Sequence, residues 1–310
     1  MAHGASPVLG FDSPGDPSSV AAFASGAWST RPEVVAPLLI VAGAYAVGWW
    51  RLRRRGGSVP GWHVAASAGG LLTLSLALSA SFEQLAHASF AAHMAQHLLL
   101  VVVAAPLLLL ADPFAALVWA IPSPMRAGVG RWLRPGAPLR RLWQGLTLMS
   151  VAWLAHSAAM WLWHLPTAYD AAVADRALHD LEHLVFFGTA VLFWWPVILP
   201  APRLRPEPKH GARVTYLVLA ALQSGLLGVL LMLSPAVWYR SYPNAEDQSL
   251  GGLIMWGVDG AVGMLAGLIL LGQYLASQDR ASPTTEPPGF PPPPAPARTA
   301  FPSRDTSSSQ

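Results

Sequence analysis

Seven stretches of this chain are each apolar enough, over enough residues, to cross a lipid bilayer as a helix. They cover residues 34–50, 62–80, 87–111, 143–163, 183–199, 214–233 and 251–275. A hydrocarbon core about 30 Å thick takes roughly 20 apolar residues as a helix, with about 17 tolerated. An eighth apolar stretch, 114–121, is too short to cross and is bounded by Pro113 and Pro122, so it reads as a re-entrant or interfacial piece. Charged residues make up 11% of the chain and apolar ones 53%, against about 25% charged in a soluble domain. The expected fold is therefore an all-α integral membrane protein, a bundle of seven transmembrane helices.

Basic residues orient the bundle. Arg51, Arg53, Arg54 and Arg55 follow the first span. Arg126, Arg131, Arg134, Arg140 and Arg141 lie between the third and fourth spans, and Arg203, Arg205, Lys209 and Arg213 between the fifth and sixth. Arg280, Arg298 and Arg304 are in the tail, which leaves only Arg31, Arg176 and Arg240 of the 19 basic residues on the other side. Lys and Arg accumulate in cytoplasmic loops, so the N-terminus is expected outside and the C-terminus in the cytoplasm. The same distribution explains the sequence pI near 9.6 without a nucleic-acid partner. The expected localisation is a bacterial plasma (inner) membrane, crossed several times.

Residues 1–33 lack a basic start followed by an apolar core, so the first span is expected to act as its own insertion signal. This segment, rich in Gly, Ser and Pro, reads as loose, and 34–276 as the transmembrane domain. The tail 277–310, with nine prolines including Pro291–Pro294, reads as disordered because it cannot build a packed core.

Seven of the ten histidines fall in three short stretches: His87/His93/His97, His156/His164 and His179/His183. The topology places all three at the outer ends of spans three, four and five. His93 and His97 are four residues apart and stack on one helix face, about 6 Å apart along the axis; His179 and His183 repeat the spacing. His156, Met160 and His164 form a stripe at i, i+4 and i+8. Glu83, Asp170, Asp175, Asp180, Glu182, Glu246 and Asp247 are expected on the same outer side.

Histidine is the commonest metal ligand and a proton carrier, so the spacing supports a metal or a proton site. The chain has no cysteine, which leaves His, Met, carboxylate and backbone oxygen as ligands. Imidazole with thioether suits copper, and Met94, Met232 and Met255 lie in outer segments. Zinc would accept the same imidazoles. Asp259, one turn below Met255, sits inside a span, where an aspartate costs about 2.5–3.5 kcal/mol on insertion scales. It either moves protons or anchors a histidine.

Bland readings stand beside these. A lone polar residue in a span ordinarily hydrogen-bonds a neighbouring helix, and His156, His63, His210 and His3 read so first. The methionines read first as core packing. Trp161, Trp163, Trp194, Trp195, Trp238 and Trp256 mostly fit interfacial belts. Gly263 and Gly267 make a weak small-xxx-small match.

The string His93-Met94-Ala95-Gln96-His97-Leu98-Leu99-Leu100, running into Ala105-Pro106, resembles the signature of the CtaG-like family of cytochrome c oxidase assembly factors. Three further stretches agree in order: Trp163-His164-Leu165-Pro166 with Tyr169-Asp170-Ala171-Ala172, then His179-Asp180-Leu181-Glu182-His183 running into Phe193-Trp194-Trp195-Pro196, then Asp247-Gln248 with Leu250-Gly251-Gly252-Leu253-Ile254-Met255-Trp256. The resemblance spans residues 35–275. It implies a polytopic, non-catalytic factor needed to form an active haem–copper oxidase, one that handles copper and works with oxidase subunits or copper chaperones. By family pattern the functional positions are His93, Gln96, His97, His164, His179, Glu182, His183, Asp247 and Gln248; Asp259 departs from it.

The expected metal ligands are His93 and His97, with His183 or His164 completing a three-coordinate site, and His179 nearby. Glu182 or Gln96 would orient an imidazole, with Asp247, Gln248 and Asp259 in support. Two other classes compete. One is a b-type haem electron carrier with His97 and His156 as axial ligands. The other is a copper or proton transporter using Asp259. A di-iron enzyme fits less well, because its histidine boxes are denser and cytoplasmic.

Overall fold

The computed structural model describes residues 31–57 and 60–281, all helical or loop, with no strand among them. The expectations for residues 1–30 and 282–310, including His3, fall outside the described residues. Helix α1 is Pro32–Arg54, and α2 (Gly61–Ala77) is followed by α3 (Ala80–Ala88). Helix α4 (Phe90–Leu98) runs through a π-helical segment, Leu99–Ala104, into α5 (Ala105–Leu110). Short helices α6 (Pro113–Ala120), α7 (Ser123–Trp132) and α8 (Pro138–Leu146) lead to α9 (Met149–Trp163) and α10 (Pro166–Ala174). The chain closes with α11 (Arg176–Ile198), α12 (His210–Leu233) and α13 (Ala245–Ala281).

Five of these units are straight enough, long enough and apolar enough to cross a membrane, and the number rises to 7 when each of two bent pairs is taken as one span. This is a multi-pass membrane protein. Large apolar side chains such as Leu39, Ile40, Leu72, Leu184 and Leu222 face outward, as lipid contact requires. The short stretch expected to be re-entrant or interfacial is α6. It packs along α1, where Tyr45 Oη donates to the Ala111 carbonyl at 3.1 Å and Arg51 reaches the carbonyls of Trp119 and Ala120.

The two breaks differ from the continuous spans expected at 62–80 and 143–163. Between α2 and α3 the axis turns by 53°. Ser79 holds the turn: its Oγ donates to the Leu76 carbonyl at 2.8 Å and accepts from the Phe82 amide, capping the new helix. Between α8 and α9 the turn is 65°, and Thr147 closes α8 by bonding back to Trp143 through both its amide and its hydroxyl. Helix α13 runs to Ala281, beyond the span end expected at 275.

Pro106 explains the π segment. A proline inside a helix lacks the N–H for its turn and crowds the carbonyl four residues back. Widening the preceding turn relieves this, and the Ala105 amide bonds to Leu100, five residues away. The freed Val101 carbonyl accepts from Trp194 Nε1 at 2.9 Å. Trp194 is thereby buried in the core rather than in an interfacial belt.

Helices α12 and α13 meet at glycine. A Cβ on Gly252 would stand 2.6 Å from the Gly228 carbonyl oxygen, and one on Gly228 would stand 2.9 Å from the Gly252 oxygen. The small-residue contact therefore lies here, not at the expected Gly263 and Gly267. A Cβ on Gly263 would stand 3.9 Å from Ala221 Cβ, and one on Gly267 would meet no neighbouring side chain or helix within 4 Å.

Candidate metal centre

Asp247 fixes where the histidine helix starts. Its carboxylate accepts from the amides of Phe90 (2.6 Å) and Ala91 (3.2 Å) and from Ser89 Oγ (2.8 Å). These are the amides a helix start leaves without partners, so α13 caps α4. Gln248 ties the loop before α13 down in the same way, through Trp238 N, Leu231 O and Ala236 O. Apart from Ser89 Oγ, their hydrogen-bond partners are backbone groups, and none is an imidazole.

With α4 so placed, His93 and His97 project toward His179 and His183 on α11. All four are buried, at 1%, 6%, 1% and 3% exposure respectively, and one ring nitrogen from each lies within 4.8 Å of the others. Nε2 of His93 is 3.0 Å from Nε2 of His179. Two nitrogens bound tetrahedrally to one ion at about 2.0–2.1 Å would be roughly 3.3 Å apart. Arg31 at the start of α1 pairs with Asp180 at 2.7 Å, and Arg176 at the start of α11 pairs with Glu33 at 2.6 Å. The histidine stretches thus share one end of the bundle, as the spacing of the spans predicts.

The partners of each ring are uneven. His179 Nδ1 donates to Glu83 Oε1 at 2.7 Å, which leaves its Nε2 facing His93. His93 Nδ1 is 2.8 Å from Tyr169 Oη and 3.1 Å from Tyr242 Oη, and Tyr242 Oη donates on to the Ala86 carbonyl. Burial raises the pKa of Tyr169 and Tyr242 above the ordinary phenol range, so both remain neutral hydroxyls. Both ring nitrogens of His97 and both of His183 have no hydrogen-bond partner, and neither does either oxygen of Glu182. The Glu182 carboxylate is fully buried, with Oε1 3.8 Å from His97 Nε2. Each such group costs about 1–3 kcal/mol when left unsatisfied. A cation among the four rings would use these lone pairs, and Glu182 would offset its charge.

The remaining candidates lie around this group. His164 is near but separate: its Nδ1 donates to the Met160 carbonyl at 2.7 Å, and its ring is 6.5 Å from that of His97. His156 hydrogen-bonds Thr189 Oγ1 at 3.1 Å, the helix-to-helix role of a lone polar residue. Gln96 donates to the Ala77 carbonyl at 2.7 Å and toward Glu83, not to an imidazole. Asp259 accepts from Ser224 Oγ and lines a cavity of about 30 Å³ with His97, His164, Met94, Met160 and Met255. His63 meets Trp62 edge-to-face, and His210 lies tilted against Tyr274. A wider cleft of about 290 Å³ opens at the other end, beside Trp143, Trp195 and Arg203, and contains no histidine.

Glu83 is the site residue that sequence reading passed over. It registered only as an external acid, although Glu83 and His87 repeat the i, i+4 spacing of the histidine pairs. Tyr242 carried no signal at all.

The profile of the cytochrome c oxidase caa3 assembly factor family matches residues 43–277. The chain belongs to this family. Similar curated proteins include uncharacterized proteins of Mycobacterium bovis and Mycobacterium tuberculosis, each 28% identical over 301 residues, covering 88% of this chain and 42% of theirs. An uncharacterized protein of Mycobacterium leprae is 24% identical over 296 residues, covering 88% of this chain and 43% of its own length. The chain thus spans less than half the length of these relatives. No solved structure matches it.

Proposed function

We propose that this membrane protein is a non-catalytic assembly factor for a haem–copper oxidase and holds copper between His93, His97, His179 and His183. The observation that carries this reading is the convergence of one ring nitrogen from each of these four buried histidines within 4.8 Å, with both nitrogens of His97 and of His183 lacking a hydrogen-bond partner. Imidazole ligands suit copper and zinc alike, whereas thioethers favour Cu(I). Met94, Met160 and Met255 in the cavity beside His97 tip the balance to copper. Tyr169, Tyr242 and Glu83 orient the rings, and Glu182 balances charge. His164 stands in reserve on the far side of His97.

The arginine distribution favours a cluster facing outward from a bacterial plasma membrane, where oxidase subunits or copper chaperones can meet it. Residues 34–276 form the membrane domain in this reading. A haem between His97 and His156 finds little support, since the cavity both line is about 30 Å³, against roughly 300–1,000 Å³ for a site of drug-sized ligands. Transport has one observation in its favour: that cavity leads from His97 toward Asp259.

Metal analysis with a visible spectrum on detergent-purified protein tests the assignment. About one copper per chain is expected, with no haem band. The double substitution H93A/H97A removes the copper and, in cells, lowers oxidase activity. Unchanged copper in the double variant overturns the ligand set, and copper accumulation by protein-containing vesicles favours transport.

A further inference from the structure

The four-histidine cluster is sealed, and an ion needs a way in. Beside it lies a second convergence of ligand atoms, from Glu83, His87 and His179, again within 4.8 Å. His87 Nε2 is 3.7 Å from Glu83 Oε1, and the same oxygen accepts from His179 Nδ1 at 2.7 Å. Side-chain exposure falls along the series, from 45% at His87 to 14% at Glu83 to 2% at His179. Glu83 and His87 line a cleft of about 430 Å³ that also contains Arg31, Gln84 and Arg176. Arg31 Nη1 is 3.8 Å from the other Glu83 oxygen, Oε2, which leaves Oε1 between the two imidazoles.

We infer that Glu83, His87 and His179 form an entry site for a borderline divalent cation, and that this site loads the four-histidine cluster. The inference rests on the cluster being a metal site. Nitrogen and carboxylate oxygen together suit Cu²⁺ or Zn²⁺. His179 belongs to both sites, through Nδ1 on the Glu83 side and Nε2 on the His93 side. A neutral imidazole has one N–H and one lone pair, so it serves one ion at a time. With the ion at Nδ1, the proton is on Nε2. As the ion passes to the inner lone pair, the ring changes tautomer with no net change in protons: Nε2 loses its proton to water, water in the cleft supplies one to Nδ1, and Nδ1 donates it to Glu83 in a hydrogen bond. His87 has no role in the inner cluster and acts only in loading.

The test is the rate of Cu²⁺ uptake by the full chain, purified in detergent and stripped with chelator, followed by absorbance and closed by metal analysis. H87A is expected to slow uptake by about tenfold or more and to leave the final copper unchanged. H87D restores a ligand and most of the rate. Wild-type uptake by H87A overturns the entry site while leaving the inner assignment intact. Loss of final copper in H87A overturns it too, because His87 would then belong to the final site. Retained copper in H93A/H97A removes the inner site instead, whatever H87A does.

Discussion

His179 Nδ1 lies 2.7 Å from Glu83 Oε1 across 96 residues of sequence, and this contact joins the bend after α2 to the first turn of α11. The bend therefore has a purpose beyond packing. It carries a carboxylate to the back of an imidazole whose other nitrogen faces His93. A carboxylate in that position fixes the tautomer and raises ligand basicity.

Glu83→Gln keeps the shape and removes the charge. Copper affinity is expected to fall by about 10–100-fold while the number of copper sites per chain is unchanged. Competition against a chelator of known affinity measures it. An affinity equal to wild type would show that Glu83 does not orient a ligand.

Asp247 behaves differently, because it serves helix ends. Asp247→Ala strips the Phe90 and Ala91 amides of their acceptor and is expected to cost about 0.5–2 kcal/mol of stability. Thermal unfolding in detergent reads the loss, and the folded variant should keep its full copper content. A copper loss at unchanged stability would make Asp247 a site residue.

Gly252→Ala brings a methyl group against the Gly228 carbonyl and is expected to destabilise the α12–α13 pair by about 1–3 kcal/mol. Gly267→Ala, which meets open space, should leave the melting temperature unchanged or raise it. Equal melting temperatures for the two variants would remove the close contact.

The absence of cysteine makes orientation simple to map. Single cysteines at Thr167 and Ser123, both exposed, are expected to react differently with an impermeant thiol reagent. In intact cells Thr167→Cys labels, and Ser123→Cys labels only after permeabilisation. The reverse pattern would turn the proposed orientation over.

Periodicity made some of this legible and geometry hid the rest. His93/His97 and His179/His183 could be paired on their helices because i, i+4 spacing needs no knowledge of the fold. That both pairs share one end followed from counting spans. Glu83 could not be matched to His179, since sequence spacing says nothing about contacts between distant helices. Asp247 and Gln248 stood out for their family pattern, but their partners, Ser89 Oγ aside, are backbone groups of other segments, which no side-chain pattern announces. The bends at Ser79 and Thr147 were hidden for another reason: hydroxyl caps interrupted the helix without interrupting the run of apolar residues.

The π segment at Leu99–Ala104 has a consequence for the histidine pair above it. A helix with strict 3.6-residue turns locks every side chain to one rotational phase, so a face chosen for Pro106 would dictate where His93 and His97 point. The wide turn uncouples the two halves. The proline half can settle against Trp194 on its own terms, while the upper half keeps the bearing that aims both imidazoles at α11.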